Sequence, residues 1–209
     1  MALDLEEQEQ LDEFKAWWRQ NGKWVIAALV AFLLVVGGVR GWQYWSAKQA
    51  GEASRLFEQA MQATAANDIK AIKEITGQIM EHYPRTAYSA PAAWLVGRIN
   101  YEAGDLKSAR AQFQFALDHA RDAQLEQLAR LRLAAVLLDE KDYDGALAQL
   151  NHPHDAAYAG LYALLKGDVL VAQGKPAEAK AAYQLAVEKL NEKSQLKQLA
   201  EIKLEGLGG

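Results

Sequence analysis

Apolar and polar positions divide this chain into two unlike parts. From Trp24 to Val39, sixteen consecutive residues carry no charge, and Lys23 and Arg40 bound the run. After about residue 50 the pattern changes to apolar residues recurring every three or four positions among charged ones, the signature of amphipathic helices. A helix of sixteen residues rises about 24 Å, short of the roughly 30 Å hydrocarbon core of a bilayer. The flanks supply the difference. Trp17 and Trp18 precede the run, Trp24 opens it, and Trp42, Tyr44 and Trp45 follow it. Such rings favour the headgroup level, while Lys23 and Arg40 extend their stems outward. The pattern predicts one tilted membrane-spanning helix over residues 22–45, anchored by Trp24, Arg40, Trp42 and Trp45. A buried core helix would need no aromatic belt at both ends.

The residues ahead of the run argue against a cleaved secretory leader. They are acidic rather than basic, with Asp4, Glu6, Glu7, Glu9, Asp12 and Glu13 against Lys15, Arg19 and Lys23, and no small-x-small cleavage site closes the run before Trp45. Orientation does not follow from charge, because Lys15, Arg19 and Lys23 on one side are matched by Arg40, Lys48 and Arg55 on the other. Leu11, Phe14 and Trp18 recur at helical spacing, which fits a short helix lying in the interface or a simple solvated tail leading into the span. Within the span, Ala27, Ala31, Gly38 and Gly41 fall near one face, and Gly37 pairs with Gly41 at a spacing of four. Small residues placed in this way let another helix approach closely, although alanine and glycine are common in any membrane helix.

The remainder repeats. Gly104-Asp105, Lys141-Asp142 and Gly174-Lys175 mark equivalent turns at offsets of 37 and 33 residues. Seven residues before each turn lies Gly97, Ala134 or Gly167, and five after it lies Ala109, Ala146 or Ala179. Then comes a pair at helical spacing: Phe113 with Ala116, Leu150 with Pro153, and Tyr183 with Ala186. Small residues at these points let two helices approach across a tight turn, with the following pair packing the second onto the first. A degenerate unit precedes them, turning at Asn67-Asp68 and ending at Pro84, with Ala60 at the first small position and Ile72 at the second. Spacings of 37 need longer connections or longer helices than spacings of 33, and Pro153 requires the second helix of its pair to stop early. This is the helix-turn-helix periodicity of tetratricopeptide repeats. The fold class expected is all-α: a single amino-terminal transmembrane helix, then a tetratricopeptide-like solenoid of about four helical hairpins, closed by a polar-backed capping helix over residues 188–205. Residues 1–21, 22–45 and 46–209 form the successive segments.

Composition narrows the function. Residues 50–209 hold 18 basic and 21 acidic side chains, a balance that gives no electrostatic reason to bind nucleic acid. There is no cysteine, hence no disulfide, thiol nucleophile or thiolate metal site. His152 and His154 flank Pro153 in an expected loop without a third ligand at recognisable spacing, and His82 and His119 read as helix-terminal polar residues. No nucleophile elbow, zincin helix, phosphate loop or dinucleotide fingerprint occurs. No catalytic residue, metal or cofactor is therefore expected. In the best-formed unit the first helix presents Trp94, Arg98 and Tyr101 on one face, residue types that are enriched at binding hot spots and equally at home between packed repeats.

Taken with the order of elements, a juxtamembrane pattern gives the chain a family likeness. Lys15, Trp17-Trp18 and Asn21-Gly22-Lys23 precede the span, and Gly41-Trp42 and Tyr44-Trp45 follow it. In these residues the chain resembles the ancillary subunits of the SecYEG translocon, the YfgM family. The resemblance implies a non-enzymatic bacterial inner-membrane protein that crosses once, its amino terminus in the cytoplasm and its repeats in the periplasm. It also implies SecYEG, a PpiD-like periplasmic chaperone and emerging secretory polypeptides as partners, with a link to negative control of an envelope-stress regulator. The small face of the span would then dock on a translocon helix or on the chaperone's anchor. Without the resemblance, a membrane-anchored scaffold for another envelope assembly machine fits the same residues.

Overall fold

The computed structural model describes residues 5–208; residues 1–4 of the expected leading segment and residue 209 lie outside them. The described residues contain helices, turns and no strand. The all-α expectation holds. The chain separates into two compact units, Met1–Lys48 and Gln49–Gly209.

The first helix, α1, runs Leu5–Ala65 without a break. Leu11, Phe14 and Trp18 therefore belong to the same helix as the apolar run, and no separate interfacial helix precedes the span. The physical reason is local: between Phe14 and Trp24 there is no proline, and the one glycine, Gly22, is tolerated inside a helix at a cost of about 1 kcal/mol. From residue 49 onward α1 serves as the first helix of a hairpin with α2 (Ile69–His82). Three further hairpins follow: α3 (Ser89–Glu102) with α4 (Leu106–His119), α5 (Ala123–Asp139) with α6 (Tyr143–Leu150), and α7 (Ala159–Ala172) with α8 (Pro176–Lys189). A last helix, α9 (Gln195–Glu205), closes the stack against α8.

One turn geometry is used four times. Asn67, Lys141, Gly104 and Gly174 all adopt left-handed backbone, with φ of 54°, 65°, 78° and 75°. The next residue's N–H then reaches five positions back, from Asp68 to Ala63, Asp105 to Asn100, Asp142 to Leu137 and Lys175 to Leu170, at 2.8–2.9 Å. This 6→1 bond is the Schellman closure of a helix end. In three of the four turns the same residue caps the next helix: Asp68, Asp105 and Asp142 accept from the N–H groups of Ala71, Ser108 and Gly145 at 3.0, 3.1 and 3.0 Å. In the fourth, Lys175 offers no side-chain cap, and Pro176 starts the helix with its fixed φ instead.

The hairpins close where the small residues permit it. A Cβ added to Gly97 would lie 2.9 Å from Cε1 of Phe113, and one added to Gly167 would run into the ring of Tyr183. Phe113 and Tyr183 stand sixteen positions after those glycines, and Leu150 stands sixteen after Ala134; all three are buried. Ala60, Ile72, Leu95 and Ile99 form the corresponding cluster at the first hairpin. The long spacings are met in both ways open to them: residues 83–88 form a longer connection of turns before α3, and α5 lengthens to 17 residues. The third hairpin is short. α6 stops at Leu150 after 8 residues, so Pro153 sits in an exposed loop and makes no pair with Leu150 on a helix. A single 3-10 turn, Ala156–Tyr158, then leads into α7.

The closing helix departs from its expected polar back. Ala200 is fully buried and Leu204 and Leu207 pack on the last hairpin, whereas Leu199 and Ile202 are exposed. Lys203 explains the orientation, since its ammonium reaches Asp168 on α7 at 2.5 Å, while the Tyr183 hydroxyl donates to the same carboxylate at 2.7 Å. That anchor directs Ala200 and Leu204 inward and leaves the Leu199 side outward.

Lys141 alone among the four left-handed turn residues has neither the freedom of glycine nor the local hydrogen bonding of asparagine. Replacing it by glycine removes roughly 1–2 kcal/mol of backbone strain against about 0.4–1 kcal/mol of added unfolded-state entropy. Lys141→Gly is expected to raise unfolding stability of the full chain in detergent, read as an increased denaturant midpoint; an unchanged or lowered midpoint contradicts the turn account.

Candidate functional site

Two surfaces carry the residues singled out by the sequence. The first is the span. Trp24, Trp42 and Trp45 are 68, 66 and 53 % exposed, and Arg40 is exposed beside them. Val25, Ile26, Leu29, Val30, Phe32 and Leu33 are likewise uncovered, so the helix presents apolar side chains on every side. An all-round apolar surface of this length is stable in lipid and unstable in water. Among the described residues this is the one helix long and apolar enough to cross a membrane. Ala27 and Ala31 are exposed, and a Cβ built on Gly37, Gly38 or Gly41 meets nothing within 4 Å. No described segment of the chain therefore fills the small face.

The second surface lies on α3. Trp94, Arg98 and Tyr101 are all partly buried and share one side of the helix, as their spacing of four and three requires. The Arg98 guanidinium lies 5.8 Å from the centre of the Trp94 ring, and its Nε stands 3.8 Å from Glu102. Tyr101 is committed elsewhere: its hydroxyl donates to Asp139 of α5 at 2.7 Å, and its ring packs with Trp94 against the central core. The three residues therefore divide their work. Tyr101 and the body of Trp94 join neighbouring hairpins, while the Arg98 side chain retains 40 % of its exposure. Neither the Trp94 indole N–H nor the Arg98 Nε–H finds a hydrogen-bond acceptor among the described residues.

Two of the four histidines are occupied locally. The His154 ring stacks on Tyr162 with 4.2 Å between centroids, and the His119 ring stacks on Phe115 at 3.9 Å. Among the described residues no group of three or more histidine, cysteine or carboxylate side chains is placed to hold a metal ion. One residue escaped the reading of the sequence. Gln127, buried at the start of α5, donates to Asp155 Oδ2 at 2.9 Å and accepts from the Asp155 N–H at 2.8 Å, and its own carbonyl accepts from the Tyr162 hydroxyl at 2.8 Å. It fixes the loop that Pro153 opens. Its signal was available: the same repeat position holds Ala90 in the preceding unit and Gly160 by the numbering of the following one, so a large amide there is anomalous.

Burial first, then the hydrogen bond to Asp139 and that carboxylate's charge, push the Tyr101 phenol up to about 12. An unfolded tyrosine ionises near 10, so the neutral phenol contributes fully below pH 10 and its contribution is lost as pH rises through about 12. Tyr101→Phe is expected to cost about 1 kcal/mol at neutral pH. The variant should also lose less stability than the parent between pH 10 and 12, measured by denaturant midpoints; parallel losses would contradict the assigned bond.

Comparison with known proteins adds length to this picture. A family model for the tetratricopeptide repeat-like domain matches residues 15–209. A protein of Neisseria gonorrhoeae is 34% identical over 211 residues, covering 99% of this chain and 100% of its own, and carries the name ancillary SecYEG translocon subunit. Proteins of the same name from Haemophilus influenzae and Escherichia coli are 32% and 28% identical, over 99% and 90% of this chain and 100% and 90% of their own.

Proposed function

Because the chain belongs to the family of ancillary SecYEG translocon subunits, with their tetratricopeptide repeat-like domain, we propose that it is a bilayer-tethered adaptor at the SecYEG channel that acts by binding proteins and catalyses no reaction. The observation that carries this reading is the coverage: the likeness extends over 99% of the chain, so span and repeats are matched together. The amino-terminal flank lies in the cytoplasm and the repeats in the periplasm. Partners are the channel itself, a PpiD-like periplasmic chaperone and emerging secretory polypeptides.

The physics of such an adaptor is that of confinement. A tether converts encounters between the repeat surface and proteins at the same membrane into nearly intramolecular ones, at effective concentrations up to the order of millimolar. Weak contacts then suffice. In the membrane, the face made by Ala27, Ala31, Gly37, Gly38 and Gly41 allows a partner helix close approach, with van der Waals contact as the driving term. In the repeats, Arg98 with Trp94 supplies the charged and aromatic element through the part of the Arg98 side chain that stays exposed. No chemistry is asked of Tyr101 beyond holding α3 to α5.

A photoreactive residue introduced at Arg98 is expected to crosslink, in native membranes, to SecYEG components, the periplasmic chaperone or secretory polypeptides. The same residue placed at exposed Lys107, on α4, should crosslink to them several-fold less. Equal patterns at the two positions, or capture at Arg98 of components of another envelope machine alone, would overturn the reading.

A further inference from the structure

We infer that the amino-terminal flank of α1 is a binding site for an anionic phospholipid, whose headgroup phosphate is held by Arg19 and Lys23, with Lys15 adding charge at the outer end of the row, and whose glycerol lies against the Trp18 ring where it covers Gly22. The three cations are spaced four residues apart and so form a single row along the helix. The Lys15 ammonium bonds Asp12 at 2.9 Å, which closes the outer end of the row. Arg19 and Lys23 have no carboxylate three or four positions away in either direction, leaving their charge for an external anion.

Beside the row stands an aromatic shelf. Phe14 stacks on Trp17 and Trp18 with 6.3 and 6.2 Å between ring centroids. Gly22 is buried although its neighbours along the helix are largely exposed, because the Trp18 indole lies down over it; a Cβ at this point would stand 3.1 Å from that ring. The Lys23 ammonium extends past the Trp24 ring at 5.9 Å from its centre. Phe14, Lys15, Trp18 and Arg19 together line an open depression. It is cationic along one edge and apolar along the other.

Depth makes the occupant a lipid. Arg19 stands five residues before Trp24, about 7 Å along the axis, and the headgroup layer on each side of the hydrocarbon is about 5–8 Å thick. Lys23 and Arg19 therefore reach the phosphate level of that leaflet, and an arginine fork suits phosphate oxygens. The opposite flank lacks the arrangement: Arg40 and Lys48 are eight residues apart, about 12 Å, with no cation between them. Each cation near an anionic surface contributes a roughly fivefold preference. The row concentrates that preference on one lipid molecule.

The test uses the full-length chain in detergent, titrated separately with phosphatidylglycerol and phosphatidylcholine, with bound lipids counted by native mass spectrometry. The parent is expected to prefer phosphatidylglycerol about tenfold. Arg19→Gln with Lys23→Gln should abolish the preference, whereas Arg40→Gln with Lys48→Gln, removing equal charge from the other flank, should keep it. Inorganic phosphate at the same concentration should not displace the lipid. An unchanged preference in the first double variant, equal loss in both, or displacement by inorganic phosphate would overturn the site.

Discussion

Everything in the repeat unit depends on how closely paired helices can approach. A helix carrying glycine or alanine at the crossing point offers backbone rather than side chain to its partner, and a ring or a leucine from the partner fills the space. Gly97 with Phe113 and Gly167 with Tyr183 show the arrangement at its tightest, where even one added carbon collides. Ala134 with Leu150 shows it with a smaller filler. These contacts sit at the same repeat positions, and the left-handed turn between the helices sets the register that brings them opposite one another. Turn and contact are therefore one constraint expressed at two points. Shifting either by one residue would rotate the second helix by about 100° and bury its polar face.

Polar bonds then tie elements within and between hairpins. Tyr101 reaches Asp139, Tyr183 and Lys203 converge on Asp168, and Gln127 clamps the loop at Asp155. Each joins elements that the apolar clusters already place in contact, so they specify orientation more than they add cohesion. The span works on the opposite principle. Its side chains find no partners among the described residues, and lipid supplies what the repeats obtain from one another.

Most of the architecture was legible because its causes are local. The apolar run with tryptophans at both ends, the small residues at fixed offsets, and the turn pairs Asn67-Asp68, Gly104-Asp105, Lys141-Asp142 and Gly174-Lys175 are all short-range patterns with one physical meaning each. Pro153 announced the short α6 for the same reason. What resisted reading was long-range. That α1 would continue from Leu5 to Ala65 required knowing that nothing between the aromatic flank and the span interrupts it, and periodicity alone leaves that open. The face that α9 turns inward was settled by Lys203 meeting Asp168, a pairing across 35 positions with no local signal. At the candidate site the spacing placed Trp94, Arg98 and Tyr101 on one side of α3 correctly, but their separate tasks depend on Asp139 and on core residues contributed by other helices.

The proposed adaptor requires the bilayer to divide the acidic flank from the repeats, and the absence of cysteine from the chain offers a direct measurement of it. Single cysteines at Glu9 and at Lys107 can be probed with a membrane-impermeant maleimide in intact spheroplasts and again after lysis. The expected result is labelling at 107 in intact spheroplasts and at 9 only after lysis. Labelling of both sites before lysis would contradict the crossing, and labelling of 9 alone would contradict the orientation, on which the adaptor depends.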